Sequence, residues 1–190
     1  GKSKEGQAPA LDLGKQRAEL GQDLYAFVLD RMRSYYLEQG IPAEAFEAVR
    51  VLAPPSMSDF DRRLRALVEF TRLPEAQALA AANKRVGNIL KKEGITTVDA
   101  VNSKLLKESA EQTLHQALSQ IAPKADTAFE AGDYTASLQA LAALKEPVDA
   151  FFDNVMVNVE DAALRTNRLA LLAQLQQAMN RVADISKLAA

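Results

Sequence analysis

The most informative stretch of the sequence for chemistry is Ala82-Asn83-Lys84-Arg85-Val86-Gly87-Asn88-Ile89-Leu90-Lys91-Lys92. At about 3.6 residues per turn, Lys84, Asn88 and Lys91 share one helical face with Arg85 and Lys92 beside them, while Val86, Ile89 and Leu90 turn toward a core. Four cations around one amide could track phosphates, with Asn88 or Asn83 offering hydrogen bonds to a base edge. The same pattern describes a solvated helix face, and spacing alone leaves both readings open. Gly87 in mid-helix costs about 1 kcal/mol relative to Ala, understandable where another helix or a ligand approaches the backbone.

Other constellations are weaker. In the first helix Leu24, Val28, Met32 and Tyr35 form an apolar stripe that contains Arg31, with Arg33 and Asp30 on the polar side. An Arg in that stripe needs a partner. It is either a buried or half-buried Arg–carboxylate pair or an Arg at the rim of an RNA groove, with Tyr35 or Tyr36 available to stack on a base. Arg62, Arg63 and Arg65 stand among Asp59, Asp61 and Glu69, a mixture expected to form solvated ion pairs. Arg168, on the apolar side of the last helix, is expected to pair with Asp153 or Asp161. Phe151, Phe152, Val155, Met156 and Val159 follow helical spacing and read as core.

No catalytic set is visible. The P-loop, dinucleotide-binding and H-E-x-x-H patterns are absent, and His115, the single histidine, has no companion ligands near it in sequence. There is no cysteine, which excludes disulfides, thiolate metal sites and cysteine nucleophiles. We therefore expect no catalytic residue, no metal and an independent enzyme to be ruled out. With 48% apolar and 25% charged residues in 190, the chain can bury a real core. Its net charge of −2 provides no global basic field, so any nucleic-acid site must be local. Residues 1–107 hold 17 Lys+Arg against 14 Asp+Glu, whereas residues 108–190 hold 6 against 11. No run approaches the roughly 18 apolar residues of a membrane span, and no signal-peptide core follows the N-terminus, so a cytoplasmic protein is expected. The chain begins with Gly rather than Met and is expected to be cut from a longer protein or to carry added residues.

The elements that position these residues are helices separated by Gly and Pro. Residues 1–22 read as a leader or boundary segment, partly vector-derived, and residues 23–190 as one all-helical domain. Helices are expected over about Asp23 to Glu38, from Pro42 through Val51, from an Asp59 cap to Thr71, and from Pro74 to Gly94. After a loop over Ile95 to Asn102, helices are expected over Glu108 to Ala131, Tyr134 to Leu144, Pro147 to Val159, and from an Asp161 cap to about Ser186. The predicted fold class is all-α, an antiparallel helical bundle.

Four ordered blocks then acquire a common meaning: Leu29-Asp30-Arg31-Met32-Arg33-Ser34-Tyr35-Tyr36, Ala82 to Leu90, Glu146-Pro147-Val148-Asp149-Ala150-Phe151-Phe152-Asp153-Asn154-Val155-Met156-Val157, and Asp161-Ala162-Ala163-Leu164-Arg165-Thr166-Asn167-Arg168-Leu169-Ala170-Leu171-Leu172. Together they resemble the carboxy-terminal region of bacterial glycyl-tRNA synthetase beta subunits, over roughly Leu24 to Leu188. The last block resembles the motif that names the DALR anticodon-binding domains. The resemblance implies a non-catalytic domain that binds the anticodon region of tRNA(Gly), within an enzyme that attaches glycine to tRNA. It implies no cofactor in this chain, ATP being used at the companion alpha subunit. The implied partners are that alpha subunit and the remainder of beta, with no DNA and no membrane, and the chain alone is expected to be monomeric. RNA contacts are expected at Lys84, Arg85, Asn88 and Lys91, with Asn83, Arg31, Arg33 and Tyr36 as further members. Arg165 and Arg168 lie in the DALR-like block and are expected to serve packing. The competing expectation is a helical module that docks onto the alpha subunit or the rest of beta without reading bases. An exposed Lys84/Asn88/Lys91 face joined to Arg31 or Arg33 would favour RNA, and one capped by the acidic half would favour docking.

Overall fold

The computed structural model describes residues 13–190, with side chains from residue 19 onward. All regular structure among the described residues is helical, as predicted. The described residues fall into two compact units, divided between Ile41 and Pro42.

In the first unit, α1 spans Leu13–Glu38, so it starts ten residues before the expected Asp23. The leader expected over residues 1–22 is corrected where it is described, since residues 13–22 form the start of α1, and residues 1–12 lie outside the described residues. The anticipated burial of the α1 stripe is corrected here. Leu24 and Tyr35 are exposed, as are Leu20 and Phe27, and Val28 and Met32 are only half-buried. A lone helix has no second layer within its unit to cover an apolar side.

The second unit begins with α2 (Ala43–Arg50), α3 (Met57–Thr71) and α4 (Ala76–Lys92). It continues with α5 (Ser109–Glu130), α6 (Tyr134–Ala140), α7 (Lys145–Asn154) and α8 (Ala162–Met179), with short 3-10 turns at Ser103–Leu105, Leu141–Leu144 and Ile185–Leu188. Helix α8 is buried on almost every side through Leu169–Ala173, Leu175, Ala178 and Met179, and it packs against both α4 and α5. An α-helix that is apolar nearly all round belongs at a centre of packing. Elsewhere in the core, Phe46, Phe60, Leu64 and Phe70 are buried on the paired helices α2 and α3, and Leu114 and Phe151 on the paired helices α5 and α7.

Three helix boundaries differ from expectation for identifiable reasons. Ser56, not Asp59, caps α3, because its extended backbone after Pro54-Pro55 lets its hydroxyl accept from the Asp59 N–H at 3.1 Å. Helix α7 stops at Asn154 rather than Val159: Arg165 donates to the Val159 carbonyl at 2.8 Å and Arg168 to that of Met156, capturing the backbone that an added turn would have used. Helix α8 ends at Met179, and the Asn180 side chain accepts from the Ile185 N–H at 3.3 Å as the chain turns.

Candidate nucleic-acid interface

Helix α4 owes its placement to its buried side. Leu79, Ala80, Asn83, Val86 and Leu90 recur at helical spacing and are buried, which fixes Lys84, Arg85, Asn88, Lys91 and Lys92 on the exposed side. The helix ends as the sequence indicates. Gly94 takes φ +67°, and its N–H and that of Ile95 donate to the Lys91 and Leu90 carbonyls at 3.2 and 2.9 Å. Mid-helix Gly87 lies against α8: a Cβ built on it would come 3.4 Å from Gln176 Nε2. Helix α8 is thus a neighbour of this glycine, at a distance that an added methyl would tolerate if Gln176 yields slightly.

Among the described residues, no Asp or Glu pairs with Lys84, Arg85, Lys91 or Lys92. Lys84 Nζ donates to the Ala190 carbonyl at 3.0 Å. Lys91 and Lys92 occupy the last turn, where the helix dipole itself favours positive charge. The guanidinium of Arg85 lies 4.3 Å from the ring centroid of Phe152 on α7. Among the described residues, no carboxylate side chain of the acidic half caps this face, the condition that would have favoured docking.

Two expected contacts are corrected. Asn83 is buried at 1% exposure, and its Nδ2 donates to Asn180 Oδ1 at 2.7 Å, so its amide fastens α4 to the end of α8 instead of facing a base. The signal was present in the spacing, since 83, 86 and 90 fall on the core side. Tyr36 is buried at 3% and meets the Tyr35 ring edge-on at 5.3 Å, so its faces are not open for stacking. Arg31 and Arg33 are exposed on α1, in the other unit. Arg31 has no buried carboxylate partner; its guanidinium sits 5.9 Å from the Phe27 ring centroid, one turn earlier.

The remaining polar candidates are structural. Arg168 pairs with Glu111 at 2.8 Å, correcting Asp153 and Asp161 as its partner, and both members are buried. Glu111 Oε1 also accepts from the Glu108 N–H, closing the cap of α5. Asp161 caps α8 through the N–H groups of Ala163 and Leu164, as expected. His115 is half-buried, and no metal-binding cluster of acidic, His or Cys side chains occurs among the described residues. Phe151 and Val155 are core as expected, but Met156 is 71% exposed and Phe152 and Val159 only half-buried. Adjacent residues on a helix differ by about 100°, so Phe151 and Phe152 could not both face the centre. Sequence reasoning therefore missed Phe152 as a surface group.

The DALR anticodon binding domain family matches residues 79–188, which include every cation of the α4 face. The chain belongs to this family. As a DALR domain it is similar to the glycine–tRNA ligase beta subunit of Methylobacillus flagellatus, at 57% identity over 89% of this chain and 24% of the relative. The corresponding beta subunits of Janthinobacterium sp. and Delftia acidovorans are 58% and 57% identical, over 91% and 86% of this chain and 25% and 23% of theirs. The chain thus spans about a quarter of the length of these curated relatives. Among the described residues of this DALR domain, no helix is long and apolar enough to cross a membrane.

Proposed function

We propose that this DALR domain binds the anticodon region of tRNA(Gly) as a non-catalytic part of a glycine–tRNA ligase beta subunit. Its role is to hold and orient the tRNA while glycine is attached, with ATP, at the alpha subunit in the cytoplasm. The observation that carries this reading is the uncompensated face of α4, where Lys84, Arg85, Asn88 and Lys91 are exposed together inside the family match. Loops of RNA present phosphates and unstacked bases, which free cations and an exposed amide can engage. Arg31 and Arg33 on α1 are secondary members of the same reading. The domain requires no cofactor or metal, binds neither DNA nor membrane, and is a monomer when separated from its alpha and beta partners.

The test is binding of the chain to a tRNA(Gly) transcript and to one with an altered anticodon across a salt series. The expected result is preference for the native anticodon. Lys84→Ala/Lys91→Ala should weaken binding about tenfold or more and lower the salt slope by roughly 1 to 2. A second reading is favoured by the exposed Leu20, Leu24 and Phe27 of α1, namely docking onto the alpha subunit or the rest of beta. Binding indifferent to both anticodon and substitution would place that reading first.

A further inference from the structure

Arg85 differs from the three lysines beside it in having a defined plane and a surface to lie on. Phe151 is fully buried, and Phe152 meets it edge to face, with centroids 5.5 Å apart at 85°. The Phe152 ring is therefore held by the core while remaining half-exposed. The Arg85 guanidinium stands 4.3 Å from its centroid, with no carboxylate competing for it. The cation thus sits over an aromatic ring that anchors it, and Arg85 as a whole stays exposed. Asn88 follows at i+3, adjacent on the helix surface, exposed and carrying both a donor and an acceptor.

We propose that Arg85 and Phe152 form a stacking platform for one unpaired base of the bound RNA, with Asn88 placed to contact the edge of that base. This inference rests on the RNA-binding reading above and extends it. A lysine meets a phosphate as a point charge, whereas a guanidinium anchored on a ring also offers a planar surface on which a base can stack. Phe152 acts through Arg85 as a positioning residue. Because every base has a π-face, the platform supplies affinity with little sequence preference, and discrimination falls to Asn88.

The experiment uses the 190-residue chain and an anticodon stem-loop of tRNA(Gly) carrying 2-aminopurine at one loop position at a time. Affinity, salt slope and the fluorescence change on binding are read for wild type, Arg85→Lys and Phe152→Leu, with thermal melts to show that each variant is folded. For wild type, one loop position should respond strongly. Arg85→Lys, which keeps the charge, should weaken binding about tenfold, abolish that response and leave the salt slope unchanged. Phe152→Leu should act in the same direction with a smaller loss. If Arg85→Lys binds within twofold of wild type and the response persists, the platform is wrong, while sensitivity to Lys84→Ala/Lys91→Ala would show that RNA binding itself stands. If wild type binds no stem-loop, both the RNA-binding reading and the platform fall.

Discussion

Helices α3 and α4 carry cations at similar density and employ them in opposite ways. On α3, Arg63 pairs with Asp59 at 2.8 Å, Arg62 with the same carboxylate at 3.3 Å, and Arg65 with Asp61 at 2.9 Å. Arg63 also donates to the Arg181 and Val182 carbonyls at 2.9 and 3.0 Å, and its guanidinium lies 4.9 Å from the Tyr134 ring centroid. Its Nε and both donors of its Nη1 are thus engaged inside the fold. On α4, by contrast, the sequence supplies no acid at i−4 or i−3 to Lys84, Arg85, Lys91 or Lys92. Counting basic residues would rank the two helices together. The placement of acids relative to them separates a helix that secures the fold from one that is free to meet a polyanion.

The extreme of internal pairing is Arg168 with Glu111, and breaking it should give the largest effect. Arg168→Leu leaves a carboxylate at 0% exposure without its cation, for an expected loss of about 3–5 kcal/mol in urea unfolding. The affinity of the remaining folded protein for RNA should not change. A loss below about 1 kcal/mol would mean that the pair is not what fixes the 155–160 segment.

Asp59 gives the next effect and a pH signature. Burial alone would push its carboxyl up, but the hydrogen bond from Tyr134 and the Arg63 and Arg62 guanidiniums outweigh burial and hold it below its ordinary 3.8. A depressed carboxyl contributes stability that is fully present above the unfolded value and lost as pH falls through the folded one. Asp59→Asn should therefore cost about 2 kcal/mol at pH 7, and the gap to wild type should close as pH is taken below about 4. Tyr134 has the opposite sign: burial and its bond to Asp59 raise it above 10.0, so its contribution persists at neutral pH and is lost only in alkali. A gap that stays constant from pH 7 into acid would show that the α3 acids do not hold its arginines.

These particulars show what the sequence could reveal. The order of helices was legible because Gly40, Gly94 and Gly132 all take positive φ, at +83°, +67° and +76°, a conformation that punctuates chains locally. The end of α7 was not, because apolar spacing continues through Val159 while the competing hydrogen bonds come from arginines on the next helix. The partner of Arg168 was equally hidden, since Glu111 is 57 positions away. On the candidate site, helical spacing alone put four cations and Asn88 outward. The pairing of Arg85 with Phe152 joins residues from α4 and α7 and emerged only with the fold.

The smallest effect expected is also the one that tests why α4 carries a glycine amid its cations. Gly87 has helical neighbours on both sides, and a Cβ there would meet only the amide end of Gln176, at 3.4 Å. Gln176 is a flexible side chain and can yield by a few tenths of an ångström. Gly87→Ala should then gain part of the ordinary helix-propensity difference, roughly 0.5 kcal/mol of the full 1, seen as a higher urea midpoint. Because this glycine faces α8 and the cations face outward, RNA affinity and salt slope should be unaffected. A variant that is stabilised yet binds RNA several-fold more weakly would mean that the RNA backbone, and not only α8, comes close to Gly87. The division between the packed and free sides of α4 would then have to be redrawn around that position.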